Sequence, residues 1–249
     1  MQLEQLRQTL ANQTFQPLFA TLSGAHLYGF ESPDSDVDLR GAFVLPLKAV
    51  IGMHEPKETV SKTFDEHGLE IDLVCHDILK FCRLLHKNSG EVLEQLYSDL
   101  VVWPSPRLSE LQNLFQPHIG KEFYFHYRGF LLNQRKLVEK PEATVKECLY
   151  GYRVALTGIH LLQSGQLNAN LPSLLELFPE PEVGELIEEK QSTREHSPLE
   201  ADRKQRHLKR LEELQGELEV AHANSPLPSS GGALEELSEF VVRVRMGRS

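Results

Sequence analysis

The chain has 249 residues, enough for one large domain or two small ones and for a core that needs no disulfides. Hydrophobic residues make up 40% and charged residues 25%, an ordinary globular composition. It carries 26 basic and 36 acidic side chains, a net of −10, with 9 against 16 in residues 1–120 and 17 against 20 in residues 121–249. These totals exclude the basic footprint of a protein that wraps a long polyanion. They leave open local basic patches and binding to one end of an RNA. No window approaches 18 consecutive apolar residues, so no membrane span is expected. The first ten residues, MQLEQLRQTL, lack an apolar signal core, and a cytoplasmic protein is expected. Cys75, Cys82 and Cys148 are odd in number and far apart, which predicts reduced, buried thiols.

In chain order, Leu3, Leu6 and Leu10 stripe one face of a helix over the first twelve residues. Pro17 to Ser23 is a short apolar run ending at Gly24, which suits a buried strand. A turn-rich loop, GAHLYGFESPDSD, follows. Asp36 to Val44 begins with clean alternation and reads as a second strand, and 58–64 and 69–75 read as a hairpin around 65–68. Asp77 is a candidate N-cap for a helix from Ile78 to His86, and another helix starts near Ser89. Beyond Trp103 the strand signal fades. Residues 107–118, 120–139, 142–165 and 171–190 show helical periodicity. Residues 191–199 and 222–233 read as mobile linkers. Between and after them, Leu208, Leu211, Leu214 and Leu218, then Leu234, Leu237 and Val241, stripe two amphipathic helices, read as packing faces.

The chemistry concentrates between Gly24 and Asp72. Asp36 and Asp38, two apart on a strand, point the same way, while Val37 and Leu39 point to the other face. Adjacent carboxylates repel, and a divalent cation relieves them. Mg²⁺ characteristically takes one or two protein carboxylates plus phosphate oxygens. In 69–75, Ile71, Leu73 and Cys75 share one face and Glu70 and Asp72 the other. If that strand lies beside the first, Asp72 supplies a third carboxylate, and three can hold two metals. Ser23-Gly24-Ala25 sits where a strand enters a turn or short helix. Glycine there admits a phosphate close to the backbone.

Two other readings fail. An EF-hand loop starting at Asp34 needs Gly at its sixth position and Glu at its twelfth, which are Leu39 and Leu45. Cys75, His76, Cys82 and His86 suggest zinc, but Cys82 falls between Ile78 and Leu85 on an apolar helix face and reads as a core thiol. The remaining histidines are scattered and carry no assignment.

These residues resemble the nucleotidyltransferase superfamily of DNA polymerase β. Its signature, Gly-(Gly/Ser), about a dozen residues, then Asp-h-(Asp/Glu)-h, stands here as Gly24-Ala25 and Asp36-Val37-Asp38-Leu39. More narrowly, SGAHLYGFESPDSDVDLRG resembles the predicted nucleotidyltransferase branch associated with RNA ligase and RNA repair. The likeness spans residues 1 to about 103 and continues in outline through Leu149-Tyr-Gly-Tyr-Arg153 to Gly165. It implies an α+β fold. A nucleotidyltransferase domain at 1–106 would hold a small mixed sheet with flanking helices. An all-α domain at 107–190 would close the cleft, and a helical extension with linkers would run over 191–249.

The resemblance also implies transfer of a nucleoside monophosphate from a nucleoside triphosphate to a hydroxyl, with pyrophosphate released and Mg²⁺ or Mn²⁺ required. Asp36 and Asp38 would bind both metals. Asp72 would bind the catalytic metal and position or deprotonate the acceptor. Gly24 and Ala25 would cradle the triphosphate. The family's serine is Ala25 here, so the cradle loses a hydroxyl but keeps its N–H; Ser23 precedes the turn. Arg40, two residues past Asp38, is expected either to bind phosphate or to neutralise the carboxylates. Tyr28 is expected to pack the turn or stack on a base. In the helical region basic residues interleave with aromatics, and Arg153, one turn after Tyr150, is the preferred nucleotide-binding candidate. The expected acceptor is an RNA or tRNA end. The rival readings are a nucleotide-binding regulatory module that has lost transfer and a protein-modifying nucleotidyltransferase.

Overall fold

A computed structural model describes residues 3–66, 68–192, 197–229 and 233–247. The elements run α1 (Leu3–Ala11), β1 (Pro17–Leu22), α2 (Gly24–Tyr28), β2 (Val37–Phe43), α3 (Leu47–Val50), β3 (Thr59–Glu66), β4 (Leu69–Asp77), α4 (Ile78–His86), α5 (Gly90–Leu96) and β5 (Val101–Trp103). Then come α6 (Pro106–Phe115), a 3₁₀ turn (Gln116–His118), α7 (Phe123–Glu139), α8 (Val145–Ser164), α9 (Leu171–Leu177), α10 (Pro181–Ser192), α11 (Ala201–Ala223) and α12 (Leu234–Arg245). The fold is α+β, as the sequence predicts. Among the described residues no helix is long and apolar enough to cross a membrane.

Contacts divide the chain into two units that are not consecutive in sequence. The first comprises Met1–Gly24, Asp36–His118 and Gly231–Ser249, and the second Ala25–Ser35 and Ile119–Ser230. This differs from the expected divisions at 106 and 190. The turn-rich loop goes with the helices, and the last helix goes with the sheet.

In the first unit the five strands are ordered β3-β4-β2-β1-β5. β2 and β4 are parallel, and the other pairs are antiparallel. The alternation read in the sequence is realised. Val37, Leu39, Ile71, Leu73 and Cys75 join Leu6, Leu10 and Val102 in one apolar cluster. The opposite face of β2 and β4 is thereby left to Asp38, Arg40 and Asp72. The second strand begins at Val37, one residue after Asp36.

Asp77 caps α4, its carboxylate accepting from the Leu79 N–H at 3.0 Å. It also accepts from the Leu45 N–H and from Arg245 of α12, which donates in turn to the Leu45 carbonyl. Asp77 is fully buried, and this ion pair ties the C-terminal helix to the sheet unit. The last helix of the expected helical extension over 191–249 thus packs on the sheet unit.

His76, beside Asp77, bonds the Thr59 hydroxyl through Nδ1 at 3.0 Å. Burial, with Lys80 and Arg40 nearby, lowers its pKa from 6.5 to about 4. Between those two values the unfolded chain binds the proton and the folded one does not. Stability therefore declines as pH falls through that window and levels off below it. The expected contribution is about 1–3 kcal/mol. Urea unfolding at pH 7.5 and 4.5 checks this, because His76→Gln is expected to flatten the difference by that amount. An unchanged difference would contradict it.

All three cysteines are buried free thiols, as the sequence predicts. Burial pushes the Cys75 and Cys82 thiols up to about 12.

In the second unit, α8 forms the centre. It opens with a capping box, Thr144 and Glu147 satisfying each other's backbone N–H, and ends on Gly165 in the left-handed region. Most of its residues are buried between neighbouring helices. A Cβ on Gly158 would lie 2.8 Å from Tyr127 Cβ and 2.9 Å from Leu218 Cδ1, so α7 and α11 approach α8 closely there.

The predicted helix at 171–190 divides into α9 and α10. Pro179 disfavours helical backbone at Phe178, and Pro181 restarts the helix at its first position. The segment expected as a linker at 222–233 is tied down: α11 runs to Ala223, Ser225 Oγ donates to the Leu162 carbonyl at 2.6 Å, and Lys121 N–H to the Pro228 carbonyl at 3.0 Å. Likewise Leu199 is buried and its N–H bonds the Ala143 carbonyl. Residues 193–196 and 230–232, parts of both expected linkers, lie outside the described residues.

Candidate active site

The site grows from one register. β2 and β4 pair so that Asp38 lies directly beside Asp72. Both side chains leave the sheet on the face away from the apolar cluster. Asp38 is 16% exposed and Asp72 28% exposed, so each carboxylate is largely withdrawn from water yet reachable. Two such groups at neighbouring strand positions repel. Arg40, two residues along β2, resolves this: its Nη2 donates to Asp38 Oδ1 at 2.5 Å and to Asp72 Oδ2 at 2.7 Å. Its Nη1 donates to the Asp72 carbonyl at 2.6 Å and the Leu39 carbonyl at 3.1 Å. Arg40 thus pairs with Asp38 and Asp72, where the sequence suggested Asp36 and Asp38 as its carboxylates. Thr63, opposite Asp72 on β3, approaches Asp72 Oδ1 at 3.4 Å. The hairpin register is the signal that could have found it.

β1 ends against this site. The Ser23 N–H donates to the Asp38 carbonyl at 2.9 Å, and Ser23 is buried. Gly24 then takes φ +59°, and a Cβ there would stand 1.7 Å from Asp38 Oδ2. The glycine of the motif is required twice, by its backbone and by its contact with the carboxylate. Ala25, at the next position, is buried.

Asp36 is half-buried just ahead of β2. Among the described residues no three His, Cys, Asp or Glu side chains are arranged to hold a metal ion. What the fold brings together is a pair, Asp38 and Asp72. Their donor chemistry suits a divalent ion, since one Nη2 already serves both carboxylates from a single position and Mg²⁺ is commonly held by one or two carboxylates.

Tyr28 and Arg153 meet within the second unit. The Arg153 guanidinium lies 3.9 Å from the Tyr28 ring centroid, and Tyr150 packs edge-on against Tyr28 with centroids 5.5 Å apart. Tyr28 is 7% and Arg153 3% exposed, and their contact is of the cation–π kind. The loop that carries Tyr28 is held by the same unit. Phe30 packs on Tyr150, and Lys190 donates to the Ser32 hydroxyl at 2.6 Å.

With this geometry, similarity to known proteins is informative. Residues 1–243 match the model of the RNA repair pathway DNA polymerase beta family. The chain belongs to that family. It is therefore of the polymerase-β-like nucleotidyltransferase type, in agreement with the resemblance carried by Gly24, Asp36 and Asp38. Among curated proteins it is 32% identical over 179 residues to the uncharacterized protein MJ0002 of Methanocaldococcus jannaschii, a match covering 69% of this chain and 72% of that one. It is 26% identical over 174 residues to the uncharacterized protein YcgL of Bacillus subtilis (strain 168), covering 67% of this chain and 65% of that one. A solved nucleotidyltransferase-like protein from Exiguobacterium sibiricum aligns over 98% of this chain and 91% of its own, at 14% identity and a TM-score of 0.33, a likeness too slight to carry an argument.

Proposed function

We propose that this family member transfers a nucleoside monophosphate from a nucleoside triphosphate to a hydroxyl at an RNA or tRNA end, releasing pyrophosphate. The observation that carries the reading is the in-register pairing of Asp38 with Asp72, with Gly24 pressed against the Asp38 carboxylate. The family supports it by the kind of chemistry, and the description "RNA repair pathway" supports an RNA acceptor.

In this reading Asp38 and Asp72 would hold Mg²⁺ or Mn²⁺, and Asp36, just ahead of β2, is proposed as a further catalytic carboxylate. The ion, when bound, would neutralise charge on the phosphates in flight. The chain's own residues do the rest. Asp72 orients the attacking hydroxyl and takes its proton. Gly24 lets the polyphosphate approach the backbone, and the Ala25 N–H remains as a donor where the family's serine would add a hydroxyl. Losing that one hydrogen bond to a charged group weakens the cradle by about 1.5–3 kcal/mol. Ser23 and Arg40 are proposed as nucleotide-binding residues of the first unit, and Tyr28 and Arg153 as nucleotide-binding residues carried by the second. Positioning and charge neutralisation supply most of the rate.

The test is Asp36→Asn and Asp38→Asn, each expected to abolish transfer while leaving the circular dichroism spectrum and melting transition near wild type. Full activity in either variant would remove that residue from the proposed machinery. The seat of Arg40 between the carboxylates favours a second reading, a nucleotide-binding module without turnover. Nucleotide binding with no transfer to RNA or protein would select it.

A further inference from the structure

We infer that Arg40 is a built-in counter-cation that a divalent ion must displace, and that it thereby sets how tightly the site takes metal. The inference rests on the proposed transfer reading for the identity of the ion. Its argument is geometric. The place between Asp38 Oδ1 and Asp72 Oδ2, where a cation would serve both carboxylates, is taken by Nη2, 2.5 Å from one and 2.7 Å from the other.

The guanidinium does not rest there loosely. Nη1 is held by the Asp72 and Leu39 carbonyls, and the side chain is only 13% exposed. The backbone of Arg40 is locked between Thr21 of β1 and Val74 of β4, so only the side chain can yield. A metal ion taking those same two oxygens would have to replace Nη2. Binding there would break two charge-assisted hydrogen bonds, the stronger kind in proteins. A monovalent donor is exchanged for a divalent ion. Without metal, Arg40 offsets part of the charge of the carboxylate pair on the two neighbouring inner strands. With metal, the affinity measured is the intrinsic affinity reduced by the hold of Arg40.

Mn²⁺ titration by calorimetry, with free Mn²⁺ followed by electron paramagnetic resonance, tests this on the full chain. Arg40→Met is expected to bind Mn²⁺ at least tenfold more tightly than wild type, and adding Asp38→Asn to it is expected to abolish binding. Arg40→Lys, which keeps a charge able to pair with the carboxylates, is expected to lie between wild type and Arg40→Met. Because Arg40→Met can lose its fold, the wild-type protein is followed as well, by nitrogen NMR of its arginine side chains. The Arg40 guanidinium signals, identified by their loss in Arg40→Lys, are expected to move as Mg²⁺ is added. Equal or weaker Mn²⁺ binding in a folded Arg40→Met, or guanidinium signals unmoved at saturating Mg²⁺, would overturn the inference and leave the transfer reading standing. No Mn²⁺ binding in any of the proteins would overturn the inference and the metal-dependent reading together. Transfer assays are not read in either arm, so loss of transfer alone does not decide it.

Discussion

Gly24→Ala is expected to abolish nucleotidyl transfer, lowering it at least a hundredfold, in a protein that still folds. The added methyl would lie 1.7 Å from Asp38 Oδ2, closer than any real contact, and φ at this position is +59°. The backbone penalty for an L side chain in that region is about 1–2 kcal/mol. The larger consequence is at the site. The methyl can be accommodated only if the Asp38 carboxylate leaves its place beside Asp72 and Arg40. Transfer of a radiolabelled nucleotide, measured alongside the melting temperature, checks this. A Gly24→Ala protein with wild-type activity would mean that the turn does not govern the position of Asp38.

Arg245→Met is expected to destabilise the protein by about 3–5 kcal/mol, because it leaves the Asp77 carboxylate buried without its counter-charge. The same carboxylate caps α4 and holds the Leu45 N–H, so the loss spreads to two segments. Adding Asp77→Asn is expected to recover part of the loss. Asparagine is also a good N-cap, and no charge then remains in the interior. Equilibrium urea unfolding of the single and double variants separates these effects. An Arg245→Met protein within 1 kcal/mol of wild type, by the usual range for surface changes, would place the ion pair among the ornamental ones.

The comparison of these two sites explains what a single sequence discloses. The carboxylates were legible because strand alternation is local: Val37 and Leu39 against Asp38, and Ile71 and Leu73 against Asp72, each show their face within a few residues. The hairpin β3–β4 and the helix capped by Asp77 were legible for the same reason. The parallel pairing of β2 with β4 was only conditional, because no local pattern specifies which strand lies beside which. The bridge from Arg40 to both carboxylates depends on that pairing and was therefore one of two open roles.

The stripe of Leu237 and Val241 was visible, but not the surface it covers. The anchor is Arg245 on Asp77, 168 residues away in sequence. β5 is three residues long, too short to show a period. The loop carrying Tyr28 read as part of the sheet domain because of its place in the motif. Its aromatic residues pack on Tyr150 and Arg153 of the second unit.

The central claim is that the Asp38–Asp72 pair makes this chain a transferase. The most direct measurement incubates the full chain with each nucleoside triphosphate labelled at its α-phosphate, Mg²⁺ and total small RNA, with Asp38→Asn in parallel. The account predicts label covalently joined to RNA with one preferred base, and none with Asp38→Asn. Label transferred equally by Asp38→Asn, or no label in any acceptor although nucleotide and metal bind, would contradict it.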